Sequence, residues 1–197
     1  MKKYLTVKNM ARIAIVSALG AVLMILDFPI FVAPSFYKLD IGDLPCIIGA
    51  FAMGPVPALF IQIIKILLKL LFKPTSSAFV GEIAAFICSS AYCMSASLFY
   101  QSHKTKKGAI RSLVLAALIM AIVSCVANYF FIIPAYTKLY HMPLEAIIAA
   151  GSEIFPIVKD KLSFVLCCVL PFNLIKAIVV GAFSIVLYKH ISPLLKD

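Results

Sequence analysis

Charge is scarce in this sequence. Only 13% of its 197 residues are charged, against 63% hydrophobic, and the mean hydropathy is +1.08. Soluble domains lie nearer about 45–50% apolar. So few charges cannot coat a water-facing surface, which argues against a soluble enzyme; a lipid solvent removes the requirement. No GxxxxGK[ST] loop occurs, so the chain does not hydrolyse ATP by that route. No HExxH occurs, and His103, His141 and His190 fall at the ends of apolar runs, far apart in sequence. No Ser/His/Asp grouping stands out, so no catalytic residue, metal ligand or cofactor is predicted. No CxxC occurs either. Cys46, Cys88, Cys93, Cys125, Cys167 and Cys168 lie in or beside apolar segments. They read as small buried side chains rather than a disulfide scaffold or zinc site. Without a linker, internal repeat or low-complexity tract, residues 1–197 read as one domain.

The net charge of +10 could suggest a nucleic-acid partner, but the positions of the cations argue otherwise. Lys2, Lys3, Lys8 and Arg12 cluster near the start, Lys104, Lys106, Lys107 and Arg111 in one hydrophilic loop, and Lys189 and Lys196 near the end. Each group flanks an apolar run, as cytoplasmic segments of a membrane protein do. Lys2 and Lys3 followed by the apolar run 13–26 also resemble a signal peptide. The run with its flanks is long for one, and no small-x-small cleavage site follows, so a retained membrane helix is expected.

A bilayer core of about 30 Å needs about 20 helical residues. On that measure six spans are predicted, at 10–26, 44–53, 58–72, 80–100, 109–133 and 162–188, the second unusually short. Gly54-Pro55-Val56-Pro57 reads as a tight turn between the second and third. Pro134 is expected to end the fifth span and Pro171 to interrupt the sixth. The fold class is an all-α integral membrane bundle of six transmembrane helices, with both termini cytoplasmic, in the cell membrane. The acids Asp27, Asp40, Asp43, Glu145, Glu153 and Asp160 then all fall on the outer side.

Polar groups at membrane depth are costly unless they face a cavity or a partner. Asn128 in the fifth span, and Asn173 and Lys176 in the sixth, are such residues; the last two, three apart, share one helix face. Glu82 opens the fourth span. One reading is a polar-lined pocket in the outer half of the bundle. The other is that the asparagines only bond neighbouring helices and that Lys176 neutralises Glu82. Lys65 and Lys69, four apart on one face, either snorkel or line a groove. In the first span Ala11, Ala14, Ala18 and Ala21 recur at helical spacing, a pattern that lets another helix approach closely. Packing within the chain's own bundle explains it as well. The residues alone therefore leave open a substrate-binding subunit, a stand-alone ion-driven secondary transporter, an intramembrane enzyme or a structural subunit.

Several stretches narrow that choice: Lys38-Leu39-Asp40-Ile41-Gly42-Asp43-Leu44-Pro45, Gly49-Ala50-Phe51-Ala52-Met53-Gly54-Pro55, Val80-Gly81-Glu82, Asn128-Tyr129, Pro134-Ala135-Tyr136 and Pro171-Phe172-Asn173-Leu174-Ile175-Lys176. In this order and spacing the chain resembles the S components of energy-coupling factor (ECF) vitamin transporters, most closely the riboflavin-specific one. The resemblance implies a substrate-binding membrane subunit that takes vitamin from outside, with the loop after the first span as a lid. It implies that Ala14 and Ala18 dock on a transmembrane coupling (T) subunit, and that two cytosolic ATPase subunits supply the energy. It places Asn128, Asn173 and Lys176 among the ligand-contacting residues, with Leu39 and Asp40 in the lid. The flat isoalloxazine ring has a pyrimidine edge with one N–H and carbonyl acceptors, which an asparagine amide can pair. Phe36, Tyr37, Tyr129 and Tyr136 are candidate aromatic walls. Riboflavin is here a transported ligand and not a cofactor. Thiamine, folate or a pyridoxal-type vitamin is the alternative within the same family.

Overall fold

The structure is a computed structural model that describes residues 6–191, and of 188–191 the backbone alone. Lys2, Lys3 and Lys196, and the side chains of Lys189 and His190, lie outside the described residues. The chain is helical with one short hairpin: α1 (Val7–Ile25), β1 (Phe28–Pro29), β2 (Lys38–Leu39), α2 (Asp43–Met53), α3 (Pro55–Phe72) and α4 (Val80–Ser102). There follow α5 (Lys106–Ala127), α6 (Ile133–Leu139), α7 (Leu144–Ser152), α8 (Lys161–Phe164) and α9 (Leu170–Ile191). Five segments are long and apolar enough to cross a bilayer: Val7–Ile25, Pro55–Phe72, Val80–Ser102, Lys106–Leu139 and Lys161–Leu187.

Two of these segments run through prolines that were expected to break them. Pro134 does not end the fifth span: α5 and α6 are continuous through the π-helical turn Asn128–Ile132. Pro171 likewise lies inside a continuous run, because the π-helical turn Val165–Val169 joins α8 to α9. A wide turn before a proline relieves the clash between its ring and the carbonyl one turn back. The loop predicted after residue 134 also holds a helix of its own, α7.

α2 has 11 residues, about 16 Å of rise, short of the roughly 30 Å hydrocarbon core. Its first residue, Asp43, contacts Lys65 in the middle of α3 and Ser89 in the middle of α4. The connection from α1 therefore descends to mid-bundle depth before α2 starts. Asp40 and Asp43, expected on the outer side, are buried inside the bundle. At the other end of α2 one residue, Gly54, turns the chain into α3 with φ +104°, where any side chain would be strained.

The descending segment is held by β1–β2, with Phe28 opposite Leu39 and Pro29 opposite Lys38. Val32, Ala33 and Leu39 bury against Ile132, Ile133, Ile147, Val158 and Phe164. Where it meets α1, a Cβ on Gly42 would lie 2.6 Å from the Gly20 carbonyl oxygen and 2.8 Å from Met24 Cβ. Gly42→Ala is therefore expected to destabilise the protein by about 1–3 kcal/mol through overpacking, seen as a lower unfolding midpoint in detergent. An unchanged midpoint would show that the α1 contact is not tight.

Candidate functional site

A cavity of about 310 Å³ opens between the segment 26–42, the α3–α4 connection and the facing sides of α4, α5 and α9. Such a volume is at the small end of the usual range for ligand pockets. Asn128, Asn173, Lys176, Asp40, Tyr37 and Glu82 all line it; Leu39 is buried beside it in the apolar packing of the hairpin.

Asn128 opens one π-helical turn, and Asn173 lies in α9 one turn after the other. Asn128 Nδ2 donates to the Ser124 carbonyl at 2.8 Å, and Asn173 Nδ2 to the Val169 carbonyl at 2.9 Å. Each amide nitrogen thus serves its own helix rather than a neighbouring one, bonding back to the carbonyl four residues earlier. This fixes both carboxamides and leaves their oxygens as acceptors for other groups. Asn128 Oδ1 accepts from Tyr37 Oη at 2.7 Å. Burial pushes the Tyr37 phenol well above its ordinary pKa, so it remains a neutral donor. Among the described residues no donor reaches Asn173 Oδ1, and Asn173 lies on the cavity wall.

Lys176 Nζ donates to Asp40 Oδ2 at 2.8 Å and lies 3.2 Å from Asp43 Oδ2. Asp43 also takes Lys65 at 2.6 Å, Ser89 at 2.7 Å and Gln62 at 3.1 Å. Two lysines thus balance two aspartates, and the pairing ties the descending segment to α3 and α9. Lys176 does not neutralise Glu82. That role belongs to Lys69, 2.7 Å from Glu82 Oε1, while Glu82 Oε2 accepts from Thr75 at 2.9 Å and Ser77 at 3.4 Å. Lys65 does not snorkel to water; it is fully buried. At the exposed rim Lys73 pairs with Asp27 at 2.7 Å, and Lys38 with the same carboxylate at 3.7 Å.

Aromatic rings complete the walls. Tyr37 meets Phe172 edge-on at 5.3 Å between centroids, and Phe36 lies 5.8 Å from Tyr136. Of the two lysines read as snorkelling or lining a groove, Lys69 does line the cavity, whereas the sequence reading missed Phe172 and the Thr75–Ser77 turn as wall elements. The turn is organised by Thr75 Oγ1, which accepts from the Ser77 and Phe79 amides and steers Ala78 and Phe79 through positive φ into α4. Ala14 and Ala18 are exposed on α1, whereas Ser17, Gly20 and Ala21 face the bundle.

Residues 8–188 match the family described as ECF transporter, substrate-specific component. The Riboflavin transporter RibU of Staphylococcus aureus (strain TCH60) is 29% identical over 194 residues, covering 96% of this chain and 93% of that protein. The Riboflavin transporter FmnP of Bacillus subtilis (strain 168) is 29% identical over 191 residues, covering 93% and 92%. A solved structure, described as the S component of a bacterial ECF transporter, superposes with a TM-score of 0.73 at 29% identity, covering 96% and 98%. With its five apolar spanning segments this is a multi-pass protein of the cell membrane and not an enzyme. The chain belongs to the substrate-specific components of ECF transporters.

Proposed function

We propose that this chain is the riboflavin-binding subunit of an ECF importer, capturing the vitamin from outside the cell and releasing it inward. The observation that carries this reading is the convergence of Asn128, Asn173 and Lys176 on one cavity whose buried charges cancel pairwise. A neutral, flat, partly polar ligand suits such a site; a charged one does not. The Asn173 oxygen can accept the single N–H of the isoalloxazine pyrimidine edge. Lys176, with one N–H left beyond those on Asp40 and Asp43, can reach its carbonyl or ribityl oxygens. The rings of Phe36, Tyr37, Tyr136 and Phe172 supply apolar walls for the dimethylbenzene side. The names of the relatives point to the same ligand.

In this reading the short α2 is the sixth crossing, both termini are cytoplasmic, and the segment 26–42 is the lid. Tyr37–Asn128 and Asp40–Lys176 are the contacts that close it. Ala14 and Ala18 form the face that meets the T subunit, and two cytosolic ATPase subunits drive release.

Protein purified in mild detergent is expected to carry flavin absorbance or to quench riboflavin fluorescence on titration. A colourless preparation that ignores added riboflavin would remove the assignment. Asn173→Ala and Lys176→Ala should each weaken binding by about 1–3 kcal/mol, since each leaves a ligand group or a buried carboxylate unmet. Unchanged affinity in both would place the ligand elsewhere.

A further inference from the structure

The segment joining α1 to α2 is divided in character. Its second half turns polar groups to the cavity, through Tyr37–Asn128 and Asp40–Lys176, and its exposed side chains are Ser35 and Lys38. Its first half, Leu26-Asp27-Phe28-Pro29-Ile30-Phe31, turns apolar groups outward. Leu26 and Pro29 are exposed, Phe28 is 52% exposed and Phe31 88%, the highest value for a large apolar side chain among the described residues. The one polar side chain there, Asp27, is drawn to Lys73 and Lys38.

Two placements set the depth of this half. Leu26 directly follows the apolar crossing segment Val7–Ile25. Val22 and Leu26, four apart and both exposed, carry the lipid face of α1 up to it. Phe28 is then no more than about 7 Å along the chain from Leu26. At the far end, Val32 and Ala33 are buried in one apolar cluster with Ile132, Ile133 and Phe164. Those three belong to the crossing segments Lys106–Leu139 and Lys161–Leu187 and lie inside their ends. At the same level Phe130, Phe131 and Leu162 are also turned outward. Phe31 is therefore held beside lipid-crossing helices and not above them. The water-facing cap looks different: around α7 it exposes Glu145, Glu153, Lys159 and Asp160. Two exposed phenylalanines beside a leucine and a proline form a patch that water disfavours and the headgroup–acyl boundary accepts.

We propose that residues 26–31 are a membrane anchor: Phe28 and Phe31 are seated in the interface of the outer leaflet, with lipid as their partner, so that the lid is tethered to the bilayer at one end. This deepens the lid reading above and holds whichever vitamin is bound.

The chain contains no tryptophan, so Phe31→Trp creates a lone indole reporter. The full chain would be reconstituted in vesicles of phosphatidylcholine and phosphatidylglycerol, with or without phosphatidylcholine brominated on its acyl chains. Bromine quenches an indole only on contact, and iodide, supplied on both sides, quenches one only in water. Ile178→Trp, in the lipid face of α9, and Glu145→Trp, on the exposed side of α7, calibrate the two extremes. Phe31→Trp should lose at least half its emission to bromolipid and less than a tenth to iodide. Chains brominated near the headgroup should quench it at least twofold more than chains brominated at the tail. Phe28→Trp should behave alike, and serves if Phe31→Trp does not fold. An indole quenched by iodide and not by bromolipid overturns the anchor and leaves the lid reading standing. An indole shielded from both also overturns it, since a second copy of the chain or another protein surface would then cover the patch. The measurement uses no vitamin, so a protein that ignores riboflavin fails the flavin reading without touching this one.

Discussion

Replacing Lys65 with methionine is expected to destabilise the ligand-free protein by about 3–5 kcal/mol, the usual effect of stripping one partner from a buried ion pair. Lys65 and Asp43 both have side chains with no solvent exposure, and Nζ lies 2.6 Å from Oδ1. Without that ammonium, Asp43 keeps Ser89, Gln62 and Lys176. Lys176 must then serve two carboxylates, since it already holds Asp40. One buried negative charge is left without its counter-ion, at a depth where neither water nor salt can reach it. Removing both charges together, Lys65→Met with Asp43→Leu, should recover much of the loss, because the desolvation of both ions is removed with their attraction. The difference between single and double variants, read from unfolding midpoints in one detergent, measures the coupling. A Lys65→Met midpoint equal to wild type would mean that water enters the bundle at Asp43 and that the charges are not truly buried.

This pair also shows what the sequence could and could not convey. Lys65 was visible as a charge in the middle of an apolar helix, so a hidden partner was foreseeable. Its identity was not, because Asp43 is 22 residues away, and proximity in sequence to Pro45 and Gly42 made it look like an outer-loop acid. The pairing of Asp40 with Lys176 spans 136 residues and depends on the lid segment descending into the bundle. No local pattern encodes that descent. It follows from an α2 too short to span the hydrocarbon core by itself and from the Gly20–Gly42 approach, both tertiary facts.

Helix positions were more legible. Apolar runs limited by aqueous loops mark α1, α3 and α4 to within a few residues, because hydropathy and bilayer thickness set them directly. The prolines misled for a physical reason. Proline removes one donor and crowds one carbonyl, which reads locally as a stop. In α5–α6 and α8–α9 the helix instead widens by one residue per turn and continues, and Asn128 and Asn173 bond back to carbonyls four residues earlier in their own helices. The same two residues that looked polar enough for a site are thus first of all backbone partners; their oxygens, not their nitrogens, are what the cavity receives. The charge of Glu82 was legible, whereas its partner Lys69 became identifiable only once α3 and α4 lay side by side.

Introducing tryptophan at both Ala14 and Ala18 is expected to reduce riboflavin uptake by cells at least twentyfold while changing riboflavin binding by the purified chain less than twofold. Both alanines are exposed, one turn apart, on α1. The opposite face of that helix carries the internal contacts: Ser17 Oγ reaches the Ile61 carbonyl at 3.4 Å, and Gly20 packs against the Gly42 carbonyl and Lys65. The outer face is therefore spare as far as this bundle is concerned. Helices in lipid gain no hydrophobic drive from association and depend on close van der Waals approach, which small side chains permit and indoles prevent. Separating the axes by a tryptophan's thickness should release the T subunit from the complex, seen as loss of co-purification. A tryptophan at Ile178, 64% exposed on α9, should leave both uptake and assembly intact. If the doubly substituted α1 still assembles and transports, the coupling subunit grips another face; if binding falls in parallel with uptake, α1 shapes the cavity rather than the contact, and the alanines belong to folding.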